Sequence, residues 1–453
     1  MAITRRQFVT RLGTLAAAVG MSSSQVSKIV ETFAFGTDPK TDLGGTLGKP
    51  RVVWLHGAEC TGCSVGLLGI FENTGGIAVE GTSITTGAAA GMAAILPTEL
   101  GGNDFTLHAT GYNVEGYGDA MNIADVVVDV IDLQYHETVM GMGGDLAAQW
   151  LEDFKNYDVE AGAEGEPGQA PFVLVVEGAL QDRMGGGAWG DDESTASTDV
   201  PWCSIGMSKD YEHGGPGFEH DMAETVVALA TKATCAAVIP IGQCATFGGY
   251  PGCKPPISEA TAGFDPTQSQ TGAMGVYDYL VLHGQAAAAN KVINVPGCPT
   301  NPWWFTLTVV MFLVDLVNPS RPLGVLTPAG LPNGNAIDGD RRLTAVYGTP
   351  IHGPYCPRYR DYVVGKFALK PGDPGCLQKI GCKGPATNSL CGMHGWNNQQ
   401  PQNPDSWNYG VPTVNTNPNG SKAGGHCTCA GHPCMACTEK GYPDAFVPFI
   451  SRS

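Results

Sequence analysis

Long apolar runs are missing from this chain of 453 residues. The apolar part of the N-terminal segment extends only from Leu12 to about Met21, whereas a membrane-spanning helix needs about 20 apolar residues. A second apolar run, residues 306–317, is also shorter than a span and contains Asp315. We therefore expect a core helix at 306–317 and no transmembrane anchor.

Basic side chains are scarce too. The 25 lysines and arginines are outnumbered by 43 aspartates and glutamates, which gives a formal net charge of −18. Such a charge argues against nucleic acid and against an anionic membrane surface as partners. The hydrophobic fraction of 43% and the charged fraction of 15% are typical of globular proteins, and the length suffices for two or three domains.

The N-terminal segment carries a targeting pattern. Arg5 and Arg6 form a twin arginine that is followed by the short apolar stretch. This pattern is typical of the export route that carries proteins already folded, often with cofactors in place. We predict that residues 1–35 are an export leader, with cleavage near Ala34, and that the protein acts in the periplasm or on the outer face of the cytoplasmic membrane.

Five short apolar runs rich in β-branched residues predict the strands of a parallel sheet that is covered on both faces. Helical patterns at 144–155 and 221–232 lie between them, and together they predict an open, doubly wound α/β domain over residues 50–300. Stretches at about 73–121 and 190–217 interrupt this scheme and are interpreted as surface inserts. The five runs are residues 52–55, 126–133, 172–176, 236–241 and 291–295.

Cysteines follow three of these strands. The first strand leads to Cys60 and Cys63, the fourth to Cys244 and the fifth to Cys298. Ligands of open parallel sheets bind in the crevice beyond the carboxyl ends of the strands, so we expect these four thiols to converge there. Four thiolates in one crevice are the ligand set of a 4Fe–4S cluster or of a zinc ion.

The alternation of strands and helices ceases after Pro299. From Arg341 onward, Pro, Gly, Asn and Cys dominate, which is typical of a region where metal sites supply folding energy that a thin core cannot. We therefore predict a second, irregular and loop-rich domain over residues 301–453. Its cysteines are Cys356, Cys376, Cys382, Cys391, Cys427, Cys429, Cys434 and Cys437.

Six short motifs resemble the small subunit of nickel–iron hydrogenases, in the order in which that family has them. The resemblance implies a flavodoxin-like first domain and three iron–sulfur clusters in a row. These clusters carry electrons between a nickel–iron site in a separate large subunit and an external redox partner, such as a periplasmic cytochrome or a membrane protein. The motifs are AECTGCS at 58–64, YHET at 135–138, IGQCATFGG at 241–249, GCPTNP at 297–302, GCKGP at 381–385 and AGHPCMAC at 430–437.

The resemblance also implies a ligand set for each cluster. The proximal 4Fe–4S cluster takes Cys60, Cys63, Cys244 and Cys298. The medial cluster takes Cys391, Cys434 and Cys437, and the distal 4Fe–4S cluster takes His352, Cys356, Cys376 and Cys382.

The chain departs from the family pattern near two of these clusters. Three residues, rather than the usual two, separate His352 from Cys356. Many members have a medial 3Fe–4S cluster because proline occupies the fourth ligand position, where this chain has Cys427. We therefore predict a medial 4Fe–4S cluster with Cys427 as its fourth ligand and Cys429 as the alternative. Gly62 and Gly249 occupy the positions of the extra cysteines of oxygen-tolerant members, so we expect an ordinary proximal cluster.

Other residues allow both a functional and a structural interpretation. His56, Glu59, His136 and Glu137 stand at strand ends, where they either support the proximal cluster and contact the large subunit or serve structural roles. Aromatic residues near the cysteine motifs line an interface, pack in the core or shield clusters from water. These are Trp303, Trp304, Trp396 and Trp407.

Three cysteines have no role in the family pattern. Cys235 is expected in the core, and Cys203 and Cys253 are candidates for a disulfide.

Two other classes of protein remain as alternatives. One is a related α/β subunit of a respiratory complex, which holds a single cluster and lacks the C-terminal cysteine block. The other is a secreted scaffold held together by disulfides or zinc. Iron and acid-labile sulfide content separate the three hypotheses.

Overall fold

A parallel sheet of four strands forms the centre of the computed structural model. The strands are β1 (Arg51–His56), β4 (Asp132–His136), β5 (Phe172–Glu177) and β8 (Cys235–Ile241), in the order β4-β1-β5-β8. The structure describes residues 51–68, 77–78, 107–108, 131–156, 171–181, 202–208, 218–253, 271–317, 320–321, 323–353, 356, 358–391, 396, 426–428 and 431–451.

The remaining elements are short strands and the helices that connect the sheet. Two further strand pairs are β2 (Ile77–Ala78) with β3 (Leu107–His108), and β6 (Ser204–Ser208) with β7 (Phe218–Asp221). The helices are α1 (Gly62–Leu68), α2 (Gly144–Asn156), α3 (Met222–Thr231), α4 (Gly242–Phe247), α5 (Val276–Leu282), α6 (Ala286–Ala289), α7 (Pro302–Val317), α8 (Thr344–Tyr347) and α9 (Tyr359–Val363).

The fifth predicted strand is present only as two isolated parallel bridges. Val292 pairs with Val238 and Val295 pairs with Ile241, which places this segment beside β8. In chain order the neighbours then read 2-1-3-4-5, the order of flavodoxin-like doubly wound folds. The prediction of a strand over residues 126–133 was displaced: β4 covers Asp132–His136 instead, and residues 126–130 lie outside the described part.

Alternate residues of the central strands enter two different cores. Val52 and Trp54 point to the face covered by α7, whereas Val53 and Leu55 point to the face covered by α2, α3, α5 and α6. All six residues of β5 are buried, as expected of a strand covered on both faces. The predicted doubly wound α/β fold is confirmed.

The apolar run at 306–317 forms most of the helix α7. Its single charged residue, Asp315, is hydrogen-bonded to the backbone that follows the helix. Asp315 is fully buried, and its carboxylate accepts hydrogen bonds from the backbone N–H groups of Leu323, Val325 and Leu326 at 2.8, 2.6 and 3.0 Å. The charge therefore fixes the turn that follows the helix. Among the described residues, no helix has the length and apolar character required to cross a membrane.

The C-terminal region packs onto the α7 face of the sheet. Its described residues form α8, α9, three short 3-10 helices and loops. Leu390, Cys391 and Cys434 belong to the same apolar core as Trp54 and Trp304. Within the region, the buried guanidinium of Arg342 donates to the carbonyl of Thr438 at 2.8 Å and so connects two of its loops.

Several predicted features lie outside the described residues or only partly within them. The leader, Trp407 and Cys429 lie outside, and so does the side chain of Trp303. Of the two predicted inserts, the described residues comprise β2 and β3 in the first, and residues 202–208 in the second, where β6 pairs antiparallel with β7.

Candidate iron–sulfur centre

The four thiols that follow the strands lie at the carboxyl end of the sheet. Cys60 lies in the loop after β1, Cys63 in the first turn of α1, Cys244 in α4, and Cys298 after the bridged segment. Cys244 interacts electrostatically with Cys60, Cys63 and Cys298, and Cys298 interacts with Cys60. The structure thus brings the four predicted proximal residues into one group.

Glycines leave room for these sulfurs. Gly242 has φ +86°, and a Cβ at this position would lie 2.6 Å from the Sγ of Cys63. Gly249 has φ +53°, and a Cβ there would lie 2.9 Å from the Sγ of Cys244. Since no larger residue fits either position without moving a thiol, the backbone is shaped around the sulfurs.

Burial opposes ionisation of these thiols. It raises the pKa of Cys63 well above the usual value for cysteine and that of Cys244 to about 12, with neighbouring charges adding to the effect. The backbone N–H of Thr300 points to the Sγ of Cys63 at 3.4 Å and acts in the opposite direction. Buried thiols such as Cys63 and Cys244 become thiolates only against a strong local positive charge, which bound iron or zinc supplies.

Glu177, at the end of β5, organises the start of α1. This residue was not identified from the sequence. Its buried carboxylate accepts the backbone N–H groups of Cys63 and Ser64 at 3.0 and 3.1 Å, the hydroxyl of Ser64 at 2.5 Å and the indole N–H of Trp54 at 3.3 Å. Four donors compensate for its burial. The carboxylate therefore fixes the backbone that carries Cys63.

A polar corner lies beside Cys60. The Nδ1 atom of His56 lies 3.1 Å from the Oε1 atom of Glu59, and only 7% and 9% of their side chains are exposed. Burial lowers the pKa of His56, but the hydrogen bond to Glu59 and the charges of Glu177 and Glu137 outweigh it and raise that pKa overall. The Nε2 atom of His56 and the Oε2 atom of Glu59 have no hydrogen-bond partner among the described residues. The corner thus presents two unpaired polar atoms.

The histidine behind this corner is in a different state. His136 is buried and its Nε2 lies 3.3 Å from the hydroxyl of Ser64. Burial and the neighbouring charge of His56 lower the pKa of His136 to about 3. A neutral His136 therefore serves as a hydrogen-bonding side chain in the packing behind α1.

A second group of thiols lies in the C-terminal region. Cys391 interacts with Cys437, Cys427 and Cys434, and the strongest charge acting on Cys437 is that of Cys427. Burial raises the pKa of Cys391, Cys434 and Cys437 far above the usual range. The structure thus places Cys427 with the other three predicted medial residues, whereas Cys429 is outside the described part.

A third group contains Cys356, Cys376 and Cys382, which interact with one another. Arg358 holds the surrounding loops, because its Nη1 donates to the carbonyls of Asp373 and Gly375 and its Nε donates to the carbonyl of Thr428, all within 2.8 Å.

The structure does not bring His352 into hydrogen-bonding or electrostatic contact with the third group. Its described contacts are with the rings of Tyr359 and Tyr362, at centroid distances of 5.4 and 4.4 Å. Burial lowers the pKa of His352, which favours the neutral ring that a metal requires.

Two contacts join the three groups. Cys437 in the second group interacts electrostatically with Cys298 in the first. The backbone N–H of Cys434 in the second group donates to the Sγ of Cys382 in the third, at 3.3 Å. Trp396 adds to the first junction, since its indole N–H donates to the carbonyl of Cys298 at 3.0 Å. The three groups therefore form a row with the Cys391 group in the middle.

The spacing of the sulfurs distinguishes between metals. Tetrahedral zinc with Zn–S bonds of about 2.3 Å holds its sulfurs about 3.8 Å apart. Among the described residues, no three cysteine sulfurs lie within 4.8 Å of one another, although those of each group interact. The described cysteines form no disulfide, Cys203 and Cys253 included. The donor set thus fits multi-iron clusters better than single zinc ions or a disulfide scaffold.

Fold and site together define a flavodoxin-like α/β protein with a loop-rich region that carries two of three cysteine groups. Comparison with known proteins narrows this class. Residues 110–312 match the family model of the NADH ubiquinone oxidoreductase 20 kDa subunit, and residues 347–409 match the model of the C-terminal part of NiFe/NiFeSe hydrogenase small subunits.

Similar proteins extend over the whole chain. The periplasmic [NiFeSe] hydrogenase small subunit of Desulfomicrobium baculatum is 25% identical over 99% of both chains, and the periplasmic [NiFe] hydrogenase small subunit of Solidesulfovibrio fructosivorans is 27% identical over 99% of this chain and 93% of its own. The solved [NiFeSe] hydrogenase of Desulfovibrio vulgaris Hildenborough is 25% identical, with a TM-score of 0.53 over 90% of this chain and 99% of that one. Over almost its whole length, the chain is therefore similar to small subunits of nickel–iron hydrogenases.

Proposed function

We propose that this chain is the electron-transfer small subunit of an exported nickel–iron hydrogenase. It relays electrons through three iron–sulfur clusters between a nickel–iron site in a large subunit and an external redox partner. The observation that carries the proposal is the row of three cysteine groups, in which Cys437 interacts with Cys298 and the backbone N–H of Cys434 donates to the Sγ of Cys382. When bound, iron–sulfur clusters supply reversible one-electron redox chemistry.

The ligand sets follow the three groups. We assign Cys60, Cys63, Cys244 and Cys298 to a proximal 4Fe–4S cluster, and Cys391, Cys427, Cys434 and Cys437 to a medial 4Fe–4S cluster. His352, Cys356, Cys376 and Cys382 are assigned to a distal 4Fe–4S cluster. The assignment of His352 is supported by the family resemblance and by its neutral ring, whereas its described contacts are with Tyr359 and Tyr362.

The protein supplies low polarity and hydrogen bonds at these positions. Most of the assigned cysteines are buried or partly buried, which excludes water from the sulfurs. Donors such as Thr300 at Cys63 and Tyr442 at Cys298 stabilise thiolate charge and so raise the cluster potential. A Cβ at Gly62 would lie only 3.1 Å from the Sγ of Cys60. This close approach supports a proximal cluster without an additional cysteine at position 62.

The large subunit is proposed to cover the corner formed by His56, Glu59 and Cys60. Two polar atoms there are buried without partners, although buried polar groups are normally hydrogen-bonded. Cys60 of this corner is exposed in the isolated chain, and so is Val65 in the helix that follows. A docked protein surface would satisfy the polar atoms and remove the apolar ones from water.

The predicted leader supports export of the folded chain before it meets its electron acceptor. Twin-arginine transport carries folded proteins, which suits a chain whose clusters are inserted first. The curated relatives include small subunits named periplasmic. We propose the same compartment for this chain, and two domains over residues 50–300 and 301–453.

Iron analysis of the anaerobically purified heterodimer tests the proposal. Three four-iron clusters require about twelve irons in the small subunit, in addition to the single iron of the large one. H2-dependent reduction of benzyl viologen reports the electron relay. About four irons in the small subunit would indicate the single-cluster respiratory alternative, and a colourless, iron-free small subunit with oxidised thiols would refute cluster binding altogether.

A further inference from the structure

The third cysteine group lies in a basic segment of an acidic protein. Residues 358–383 contain six lysines and arginines and only two acidic residues, Asp361 and Asp373, whereas the whole chain has a formal net charge of −18. This local excess of positive charge lies almost entirely outside the family motifs, because only Lys383 belongs to one of them. It therefore asks for a separate explanation.

The two acidic residues of the segment are engaged within the protein. Asp361 is buried and lies 4.0 Å from the amino group of Lys366. The carboxylate of Asp373 accepts the backbone N–H groups of Leu369 and Lys370 at 3.3 and 3.2 Å. Arg358 is also used internally, since it donates to three backbone carbonyls. Of the other cations, Arg360, Lys366, Lys370 and Lys379 are exposed and Lys383 is partly buried.

We name the exposed part of this segment the distal patch. Its centre is apolar: Val363, Val364 and Leu369 are 65%, 67% and 71% exposed, which is unusual for aliphatic side chains that lie close together in the chain. Exposed basic residues surround this centre. The patch consists of Arg360, Tyr362, Val363, Val364, Lys366, Leu369, Lys370 and Lys379.

The distal patch is the outer wall of the third cysteine group. The backbone N–H of Cys376 donates to the carbonyl of Lys366, and Phe367 bridges to Cys376 in parallel register. On the other side, the exposed ring of Tyr362 contacts the ring of His352 at 4.4 Å. A molecule bound to the distal patch would therefore contact residues that themselves contact Cys376 and His352. In the proposed function, electrons leave the protein from this third group.

We propose that the distal patch docks a small acidic electron-carrier protein. The inference rests on the proposed function, because it takes the third group as the electron exit. An apolar centre with a charged rim is the usual anatomy of a specific but transient interface. The basic rim attracts an acidic carrier and repels a basic one, so it determines which carrier reaches the exit and how fast.

The test uses the heterodimer under H2 with two haem carriers of opposite charge. The acidic probe is the soluble domain of cytochrome b5, and the basic probe is a lysine-rich cytochrome c. At low ionic strength we expect faster reduction of cytochrome b5, and we expect that rate to fall steeply as salt screens the charges. Lys370→Glu and Arg360→Glu should each slow it by about five-fold at low salt and leave benzyl viologen reduction unchanged.

Arg51→Glu is the matched control. It makes the same change in net charge at the amino end of β1, opposite the strand ends that carry the cysteines, and removes only an exposed ion pair with Asp132. It should leave the cytochrome b5 rate unchanged.

Three results would overturn the docking proposal while benzyl viologen reduction stays intact. These are faster reduction of cytochrome c than of cytochrome b5, equal effects of Lys370→Glu and Arg51→Glu, or a Lys370→Glu effect confined to binding of anionic lipid vesicles. Loss of viologen reduction in the unmodified heterodimer would instead refute the proposed function itself.

Discussion

Replacing Gly242 by alanine is the most direct perturbation of the first cysteine group. Its φ of +86° costs an alanine about 1–2 kcal/mol of backbone strain. The new Cβ would lie 2.6 Å from the Sγ of Cys63, and ordinary contacts begin near about 3.5 Å, so the sulfur must move by roughly 0.9 Å. Metal–ligand distances tolerate only about 0.2 Å. We therefore expect Gly242→Ala to lose the proximal cluster.

Iron content, low-temperature EPR of the reduced protein and H2-dependent viologen reduction measure this loss. The variant should contain about four fewer irons per chain and show no relay activity. Gly284→Ala is the matched control, because Gly284 has φ +72° with nothing within 4 Å of a built Cβ. It should lose stability but keep all its iron. Equal iron content in the two variants would show that Gly242 does not form part of a cluster cradle.

Three further perturbations address the medial group, the core and the sulfur hydrogen bonds. Cys427→Ser should convert the medial cluster to a three-iron form, with a 3Fe–4S EPR signal in the oxidised protein; the same signal from Cys429→Ser would assign the ligand to Cys429 instead. Asp315→Asn should lower the free energy of unfolding by about 2–4 kcal/mol in thermal denaturation, because three backbone N–H groups lose a carboxylate acceptor. Asp132→Asn, at the exposed edge of the sheet, is the control and should change the free energy of unfolding by less than about 0.5 kcal/mol. Tyr442→Phe removes a hydrogen bond from Cys298, so the proximal potential in a redox titration should fall, and an unchanged potential would exclude this donor.

The central sheet was predictable because its strands are buried on both faces. β1, β5 and β8 agree with the predicted runs to within one or two residues, since continuous β-branched sequence has few other places in a folded protein. The core helix at 306–317 is confirmed for a similar reason. The position of β4 was not predictable from hydrophobicity, because its sequence, Asp132–His136, is polar at one end and half-buried.

The prediction of a fifth strand over residues 291–295 was wrong in that only isolated bridges form. The reason is a tertiary contact that the local sequence does not indicate. Asn294 bridges to Arg342, and its side chain donates to the carbonyl of Asp340 at 2.9 Å. One edge of the segment is therefore taken by the C-terminal region, and only isolated bridges to β8 remain. Contacts between residues almost 50 positions apart depend on tertiary packing rather than on propensity.

The convergence of Cys60, Cys63, Cys244 and Cys298 was predictable from topology alone, because parallel strands end at one edge. Glu177 was within reach of the same reasoning, since it directly follows the apolar run of β5. Arg358 carried no such signal: a single arginine in a loop does not indicate which carbonyls it will contact. The grouping of the C-terminal cysteines came only from the family resemblance, because irregular loops have no periodicity to interpret.

The two family models match two different regions of the chain, residues 110–312 and residues 347–409. The sheet region resembles a respiratory-complex subunit, which on its own would favour the single-cluster alternative. The C-terminal match and the full-length relatives favour a chain with additional cysteines, and the packing shows how these are attached. Cys391 and Cys434 belong to the same apolar core as Trp304 of α7 and Val175 of β5. Because thiolates in such a core are stable only with a bound metal, we expect metal insertion and final packing to occur together. A protein of this kind has to fold where the metal is inserted, which agrees with the proposed leader for the export of folded chains.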